Sequence, residues 1–297
     1  MKFILLIFFA LAVQLDNLAV KKYGRYSFFA PPADSLIVRD LNRILIENEP
    51  VFQKVYRYAP RQLQRDVLIY IPQNDEDYFK LSESALPDWS GGVAFPDEHK
   101  VILRPPQSGF FDPREYREVL LHELAHIYLA DKADTCRVPL WFNEGLAMQL
   151  SGRTFSWNDH LVISSAVISH GLLDLPEVDR MLVFGLAKAQ LAYAQSLLAV
   201  QLLIRNSGEK AIGDLLDGLA AGNNWEQVFA QVYDGSDDGQ FNRDLQQYIH
   251  QQYRWALLLQ VKNLFWIMLV ILVICGFILI KIRNRRILKE WEKNEDI

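Results

Sequence analysis

The sequence predicts an α+β domain followed by one transmembrane helix. Within 297 residues, short strand-like segments lie in the first third, and helical patterns occupy most of the remainder. Strands that precede helices rather than alternating with them are typical of the α+β class. The run from Leu264 to Ile280 has no charged residue, which predicts a membrane span.

The first part of the domain is predicted to combine one helix with three strands. Apolar residues at helical spacing indicate a helix over 35–58 that closes near Pro60. Alternating or β-branched runs bounded by proline and glycine indicate strands. The predicted strands cover 66–71, 91–95 and 100–104. The last two are separated by a turn-rich link at 96–99, which predicts that they pair as a hairpin.

The second part is predicted to be helical throughout. Pro113 suits the first turn of a helix over 113–131, and a loop through Pro139 leads to a second helix at about 140–151. The first of these helices has an apolar stripe formed by Leu120, Leu121, Leu124, Ile127 and Tyr128. Residues 161–255 are helical in pattern, with breaks near Gly171, Gly208, Gly222 and Gly235.

The N-terminus resembles a secretory signal. Lys2 precedes an apolar run from Phe3 to Val13, and Ala10-Leu11-Ala12 fits an A-x-A cleavage pattern. This run is too short to cross a bilayer. We therefore interpret residues 1–19 as a signal peptide and residues 20–255 as an exported domain. A buried N-terminal helix or a short anchor is the alternative.

The C-terminal span carries its own orientation signal. The 17 residues from Leu264 to Ile280 would form a helix about 25 Å long. Four cations follow at once, namely Lys281, Arg283, Arg285 and Arg286. The positive-inside rule places that end in the cytoplasm. The expected organisation is a transmembrane helix at 262–281 and a cytoplasmic basic tail at 282–297.

Net charge and cysteine content limit the class of binding partner and the cellular compartment of the protein. The chain carries a net charge of −5, whereas the tail from 281 to 297 has six basic and four acidic side chains. A mildly acidic exported domain disfavours a nucleic-acid partner. Of two cysteines, Cys275 lies in the span, so no disulfide framework exists, and no N-x-[ST] sequon occurs. This combination fits the periplasmic side of a bacterial inner membrane.

The main chemical signal is His122-Glu123-Leu124-Ala125-His126, followed 18 positions later by Glu144. Histidines at i and i+4 lie on one helix face and can hold one Zn²⁺ at about 2.0–2.1 Å. Glu123 can face the same space as the general base for a zinc-activated water. Glu144 can return from a second helix as the third ligand, leaving one position open. The alternative is two core histidines beside a buried Glu, which would be costly without a metal.

These residues resemble a known group. HELAH followed by a spacer, a proline and WFNEGLA is similar to the gluzincin metallopeptidases of the peptidase MA clan, which includes thermolysin-like and aminopeptidase-like enzymes. The resemblance covers roughly residues 60–255. It implies a gluzincin-like fold with N-terminal strands, a zinc-binding helix and a helical C-terminal part. It also implies that His122, His126 and Glu144 bind zinc and that Glu123 is the base.

The spacing departs from the family pattern. Seventeen residues separate His126 from Glu144, one fewer than in the aminopeptidase-like branch and two fewer than in the thermolysin-like branch. This indicates a compact, separate branch, so substrate preference does not transfer. By the same resemblance, the strand at 91–95 would be an edge strand able to pair with an extended peptide. An ordinary hairpin with a glycine bulge is the alternative reading of that strand.

Further residues are candidates for stabilising the carbonyl oxygen or for orienting the histidines. Tyr193 is a candidate donor to the carbonyl oxygen during hydrolysis, since related enzymes carry such a Tyr or His on a later helix. His160 and His170 are rivals, and simple packing of Tyr193 is the alternative. Asp131, Asp134 and Asn143 are candidate hydrogen-bond partners of the histidines, and the sequence does not choose among them.

The sequence thus predicts a membrane-tethered zinc-dependent peptidase that hydrolyses peptide bonds of exported proteins or peptides. A membrane-anchored assembly or binding factor on a peptidase-like fold is the alternative, and the intact Glu123 disfavours it. An intramembrane enzyme is also disfavoured, because charged residues crowd the helix at 113–131. The sequence does not indicate an oligomeric state.

Overall fold

A five-stranded mixed sheet packs against a helical layer. The computed structural model describes residues 18–57, 65–82, 90–106, 113–134, 136–253 and 256–295, with side chains of the last segment described for 266–286. The predicted signal segment lies outside these residues except for positions 18 and 19. The strands are β1 Ala19–Tyr23, β2 Tyr26–Ala30, β3 Val67–Tyr70, β4 Gly92–Phe95 and β5 Lys100–Leu103.

Most of the described chain is helical. The helices are α1 Ser35–Tyr56, α2 Asp75–Leu81, α3 Pro113–Ala133, α4 Leu140–Ser151, α5 Trp157–Ser169, α6 Leu175–Val178, α7 Leu186–Ser207, α8 Ala211–Ala220, α9 Trp225–Val232, α10 Asp238–Tyr253 and α11 Ala256–Glu295. Short 3-10 turns cover Pro32–Asp34, Pro96–Glu98 and Met181–Val183. The α+β fold class predicted from the sequence is confirmed.

The sheet has the order β1-β2-β3-β5-β4. β1 and β2 form an antiparallel hairpin, β2 and β5 flank β3 in parallel, and β4 pairs with β5 in antiparallel register. The predicted hairpin around 96–99 is therefore present, and β4 is an edge strand. The hairpin of β1 and β2 and the short helix α2 were not predicted from the sequence.

Helix α3 forms the centre of the core. It packs against α1, β4, β5, α4 and α8, and its predicted apolar stripe is buried throughout. Tyr56 of α1 donates a hydrogen bond of 3.0 Å to the backbone oxygen of Ala125. This contact, together with the packing on both sides, fixes the position and rotation of α3.

Helices α4 and α7 are also closely packed. Gly145 allows this contact, because a Cβ at that position would lie 2.3 Å from the backbone oxygen of Ser196. The close approach fixes α7 relative to the second turn of α4.

Helix α11 leaves the domain. The stretch Trp266–Arg286 is 21 residues long and apolar enough to cross a membrane, and none of it is buried against the domain. The core helices of the domain, in contrast, bury their apolar faces. One C-terminal helix is thus a candidate membrane span, as the sequence predicted.

Candidate metal centre

Helices α3 and α4 bring three side chains to one point. The Nε2 atoms of His122 and His126 lie 3.1 Å apart. The Oε2 atom of Glu144 lies 3.2 Å from His122 Nε2 and 3.8 Å from His126 Nε2. The first turn of α4 begins after Pro139, whose backbone oxygen accepts from the amides of Phe142 and Asn143 at 3.1 Å.

The donor set fits a small cation. The ligand atoms of His122, His126 and Glu144 lie within 4.8 Å of one another. Glu144 Oε2 is buried and makes no hydrogen bond, which is costly for a carboxylate unless something else compensates its charge. Burial raises the pKa of Glu144, but the adjacent His126 and His122 outweigh that effect and lower it overall. Two imidazoles and one carboxylate are ligands that suit zinc.

Asn143 sets the orientation of one histidine. His126 Nδ1 lies 2.7 Å from Asn143 Oδ1. Because an amide oxygen only accepts, the ring proton resides on Nδ1, and the Nε2 lone pair faces His122 and Glu144. Asp131 instead pairs with His99 Nε2 at 2.8 Å, and Asp134 is exposed at the end of α3. The structure therefore selects Asn143 among the three candidates.

Glu123 lies beside the cluster and is held by the edge strand. Its side chain is buried, and the backbone amide of Ala94 donates a hydrogen bond to it. Burial raises the pKa of Glu123 to about 7, with His126 lowering it and Glu144 raising it further. A carboxyl group with such a pKa can both accept and release a proton near neutral pH.

The paired glycines of the edge strand allow this contact. A Cβ on Gly92 would lie 2.7 Å from Val119 Cγ1 and 3.1 Å from Glu123 Cγ, and one on Gly91 would lie 2.9 Å from Val119 Cγ2. The glycines are thus explained by the close approach of β4 to α3. β4 is an edge strand and one arm of a hairpin, its register with β5 has no bulge from Gly92 to Phe95, and its pairing with a peptide stays a prediction.

A cleft of about 750 Å³ opens over the cluster. The edge strand lines one side through Gly91 to Ala94, and Tyr193 of α7 also lines the cleft. Burial raises the pKa of Tyr193, and the negative charges of Glu144 and Glu123 raise it further, so its hydroxyl keeps its proton. The phenol therefore carries its proton and lies close to both carboxylates.

The two rival histidines lie elsewhere. His160 Nδ1 is 2.9 Å from the hydroxyl of Tyr253. His170 is exposed and caps the C-terminus of α5 in the left-handed conformation, at φ 53°. Among the described residues that line the cleft, neither histidine occurs.

Sequence reasoning did not single out Arg153. It lines the cleft and donates a hydrogen bond of 3.0 Å to the buried Asp159. Asp159 in turn completes a capping box with Ser156 at the start of α5. The Ser-x-x-Asp spacing marks the cap in the sequence, but it does not indicate that an arginine nine residues after Glu144 returns to the cleft.

Comparison with known proteins agrees with the geometry. A family model described as the peptidase MA superfamily matches residues 51–251, which is more than half of the chain. The matched region contains the His122–Glu144 cluster, the edge strand and Tyr193. No curated protein matches the chain significantly.

Proposed function

We propose that this chain, which belongs to the peptidase MA superfamily and has a peptidase-like fold, is a membrane-tethered zinc-dependent peptidase acting on exported proteins or peptides. The observation that carries the proposal is the convergence of His122, His126 and Glu144 beside a buried Glu123. A protein that only bound a partner would gain nothing from a buried carboxyl group at that position.

In this proposal, His122, His126 and Glu144 hold the metal. When bound, zinc supplies a Lewis acid that lowers the pKa of water toward about 7. The buried Oε2 of Glu144, which accepts no hydrogen bond, and the orientation of His126 by Asn143 support this ligand set. The hydrogen bond to Asn143 also keeps the imidazole of His126 in the tautomer that offers Nε2.

The remaining chemistry belongs to the protein. Glu123 takes the proton of the attacking water at a carboxylate oxygen and delivers it to the leaving nitrogen, for which a pKa of about 7 is suited. Tyr193 donates its phenolic proton in a hydrogen bond to the carbonyl oxygen as charge builds there. The edge strand β4, which lines the cleft, pairs with an extended peptide and aligns it.

The test combines metal analysis with a search for cleavage. Wild type and Glu123→Gln are assayed for zinc content and incubated with a mixture of denatured proteins, and new peptide ends are identified by mass spectrometry. We expect zinc in both proteins and cleavage only by the wild type, because the amide cannot accept a proton. Glu47→Gln, an exposed position on α1, is the matched control.

Two results would contradict the proposal. Retention of all zinc in both His122→Ala and Glu144→Ala would exclude the ligand set. Zinc in the wild type without cleavage of any protein would instead favour the binding or assembly factor.

We further propose the topology expected from the sequence. Residues 1–19 direct export, residues 20–255 face the periplasm, 262–281 cross the inner membrane, and 282–297 remain in the cytoplasm. The apolar stretch of α11 and the cations at 281–286 support this orientation. Protease added outside spheroplasts should digest the domain and spare the tail, and the reverse pattern would overturn the topology.

A further inference from the structure

Five large apolar side chains are exposed on neighbouring elements, and one of them, Leu182, also lines the cleft. The exposed fractions are 69% for Trp157, 49% for Leu161, 71% for Leu182, 78% for Val183 and 54% for Leu186. We call this set the apolar rim. Single exposed apolar residues are common, but a group of them marks an interaction surface.

The elements that carry the rim pack against one another. Trp157 and Leu161 are one turn apart on α5, so they share a face of that helix. Both α5 and the 3-10 turn at Met181–Val183 pack against α7, which carries Leu186. Leu182 and Val183 belong to the 3-10 turn that precedes α7.

The rim lies next to the start of the membrane helix. His160, on the same helix as Trp157 and Leu161, contacts the hydroxyl of Tyr253 at 2.9 Å. Tyr253 is the last residue of α10, and α5 also packs against α11. The candidate span begins at Trp266, ten residues after the first residue of α11, Ala256, which corresponds to about 15 Å of helix.

We propose that the apolar rim docks onto the surface of the bilayer that α11 enters. Leu182, Val183 and Trp157 would enter the interfacial layer, where aromatic and aliphatic side chains lose contact with water. Lipid is the occupant indicated here, because α5, which carries Trp157 and Leu161, packs against the helix that reaches the membrane. The proposal rests on the membrane span of the proposed function and is independent of hydrolysis.

Docking places the mouth of the cleft at the membrane. Leu182 of the rim lines the cleft, as do its neighbours Met181 and Phe184. Polypeptides attached to the same bilayer would therefore reach the cleft more readily than freely diffusing ones. The substrate class indicated is a segment close to the membrane surface.

The experiment measures the depth of single positions in the full chain. Cys136 and Cys275 are replaced by alanine, Val183→Cys is labelled with a fluorophore, and the protein is reconstituted into phosphatidylcholine–phosphatidylglycerol vesicles containing nitroxide-labelled lipid. The matched control is Ile46→Cys on α1, since Ile46 is 63% exposed but lies outside the rim. Insertion by about 5–10 Å should make quenching at 183 at least about threefold stronger than at 46.

Several results decide the proposal. Equal quenching at positions 183 and 46 would overturn it. Leu182→Glu, an exposed change that preserves folding, should reduce quenching at 183 to the level at 46, and unchanged quenching would contradict docking. Energy transfer between copies labelled at 183, without quenching by lipid, would assign the rim to a second copy of the chain and overturn the lipid assignment.

Carbonate extraction separates this proposal from the proposed function. If alkaline carbonate releases the chain from membranes, the chain has no membrane span. The docking proposal is then wrong, and hydrolysis can still be measured independently. A chain that resists extraction and shows deep quenching at 183 supports docking whether or not it cleaves any protein. The fluorescence readout does not require activity.

Discussion

Asn143 Oδ1 accepts a hydrogen bond from His126 Nδ1, and the two atoms lie 2.7 Å apart. Asn143 directly precedes Glu144, so one turn of α4 supplies both a candidate metal ligand and the residue that orients another. The rotation of α4 therefore controls two of the three ligand positions at once. The N-terminus of α4 is fixed by Pro139 and by Asp179, which accepts a hydrogen bond of 3.0 Å from the backbone amide of Trp141.

Asn143→Ala should weaken zinc binding by about 10- to 100-fold, because His126 loses the hydrogen bond that fixes its tautomer and ring orientation. A competition titration against a zinc chelator measures this effect. Asn143→Asp retains an acceptor for the Nδ1 proton and should restore most of the affinity. Equal affinity of wild type and Asn143→Ala would show that the hydrogen bond has no role in metal binding.

Gly145→Ala should destabilise the domain by about 1–3 kcal/mol, because the new methyl group would overlap the backbone of α7. Its Cβ would lie 2.3 Å from the oxygen of Ser196 and 2.7 Å from Val200 Cγ2. Thermal unfolding followed by circular dichroism in detergent measures the change. Gly239→Ala is the control, since Gly239 is exposed on α10 and alanine is the better helix former. A Gly145→Ala protein as stable as the control would contradict the tight packing.

The sequence allowed the elements around the candidate metal centre to be predicted closely. α4 was predicted at about 140–151 and is found at Leu140–Ser151, while α3 extends two residues beyond the predicted end at 131. Both helices carry strong local signals, namely a proline at the start and apolar residues at helical spacing. The hairpin of β4 and β5 also has a local signal, because the turn-rich link at 96–99 joins its two strands directly.

β1 and β2 were not predicted, although β3, the parallel partner of β2, was. β2 is buried between β1 and β3, and its parallel partner β3 starts 37 residues after the end of β2 at Ala30. The exposed Lys22 in β1 gives no apolar signal, because β1 is an outer strand. The choice of Asn143 over Asp131 likewise depends on the angle at which α4 meets α3, which the sequence of either helix alone does not contain.

The ion pair between Lys132 and Asp217 should make stability depend on pH. Lys132 Nζ is buried and lies 2.7 Å from Asp217 Oδ1, and Arg57 contacts the other oxygen at 2.9 Å. Burial raises the pKa of Asp217, but hydrogen bonds from Lys132 and Arg57 outweigh it and lower the pKa below 3.8. A lowered folded-state pKa means that the stabilisation is complete above the unfolded value and is lost as pH falls through the folded one.

Asp217→Asn should therefore lower stability by about 1–2 kcal/mol near pH 6, less than for a fully buried pair because Asp217 is partly exposed. The difference from wild type should stay constant down to about pH 5 and shrink below pH 4. Denaturant titrations across this range measure it. Asp40→Asn, at an exposed pair on α1, is the control. A difference that grows on acidification would contradict the sign of the pKa shift.

Tyr193→Phe should reduce turnover by about 10- to 1,000-fold while zinc remains bound, because one donor to the developing oxyanion is lost and the metal shares its role. The effect should fall on kcat more than on KM, since the hydrogen bond strengthens only as charge builds. Zinc content and steady-state rates on a peptide identified by the cleavage screen provide the measurement. Tyr248→Phe, which removes a phenol outside the cleft, is the control and should leave both constants unchanged. If Tyr193→Phe keeps full activity, the hydroxyl serves only to pack α7 against the cleft, and the oxyanion must be stabilised by the metal and the backbone of β4 alone.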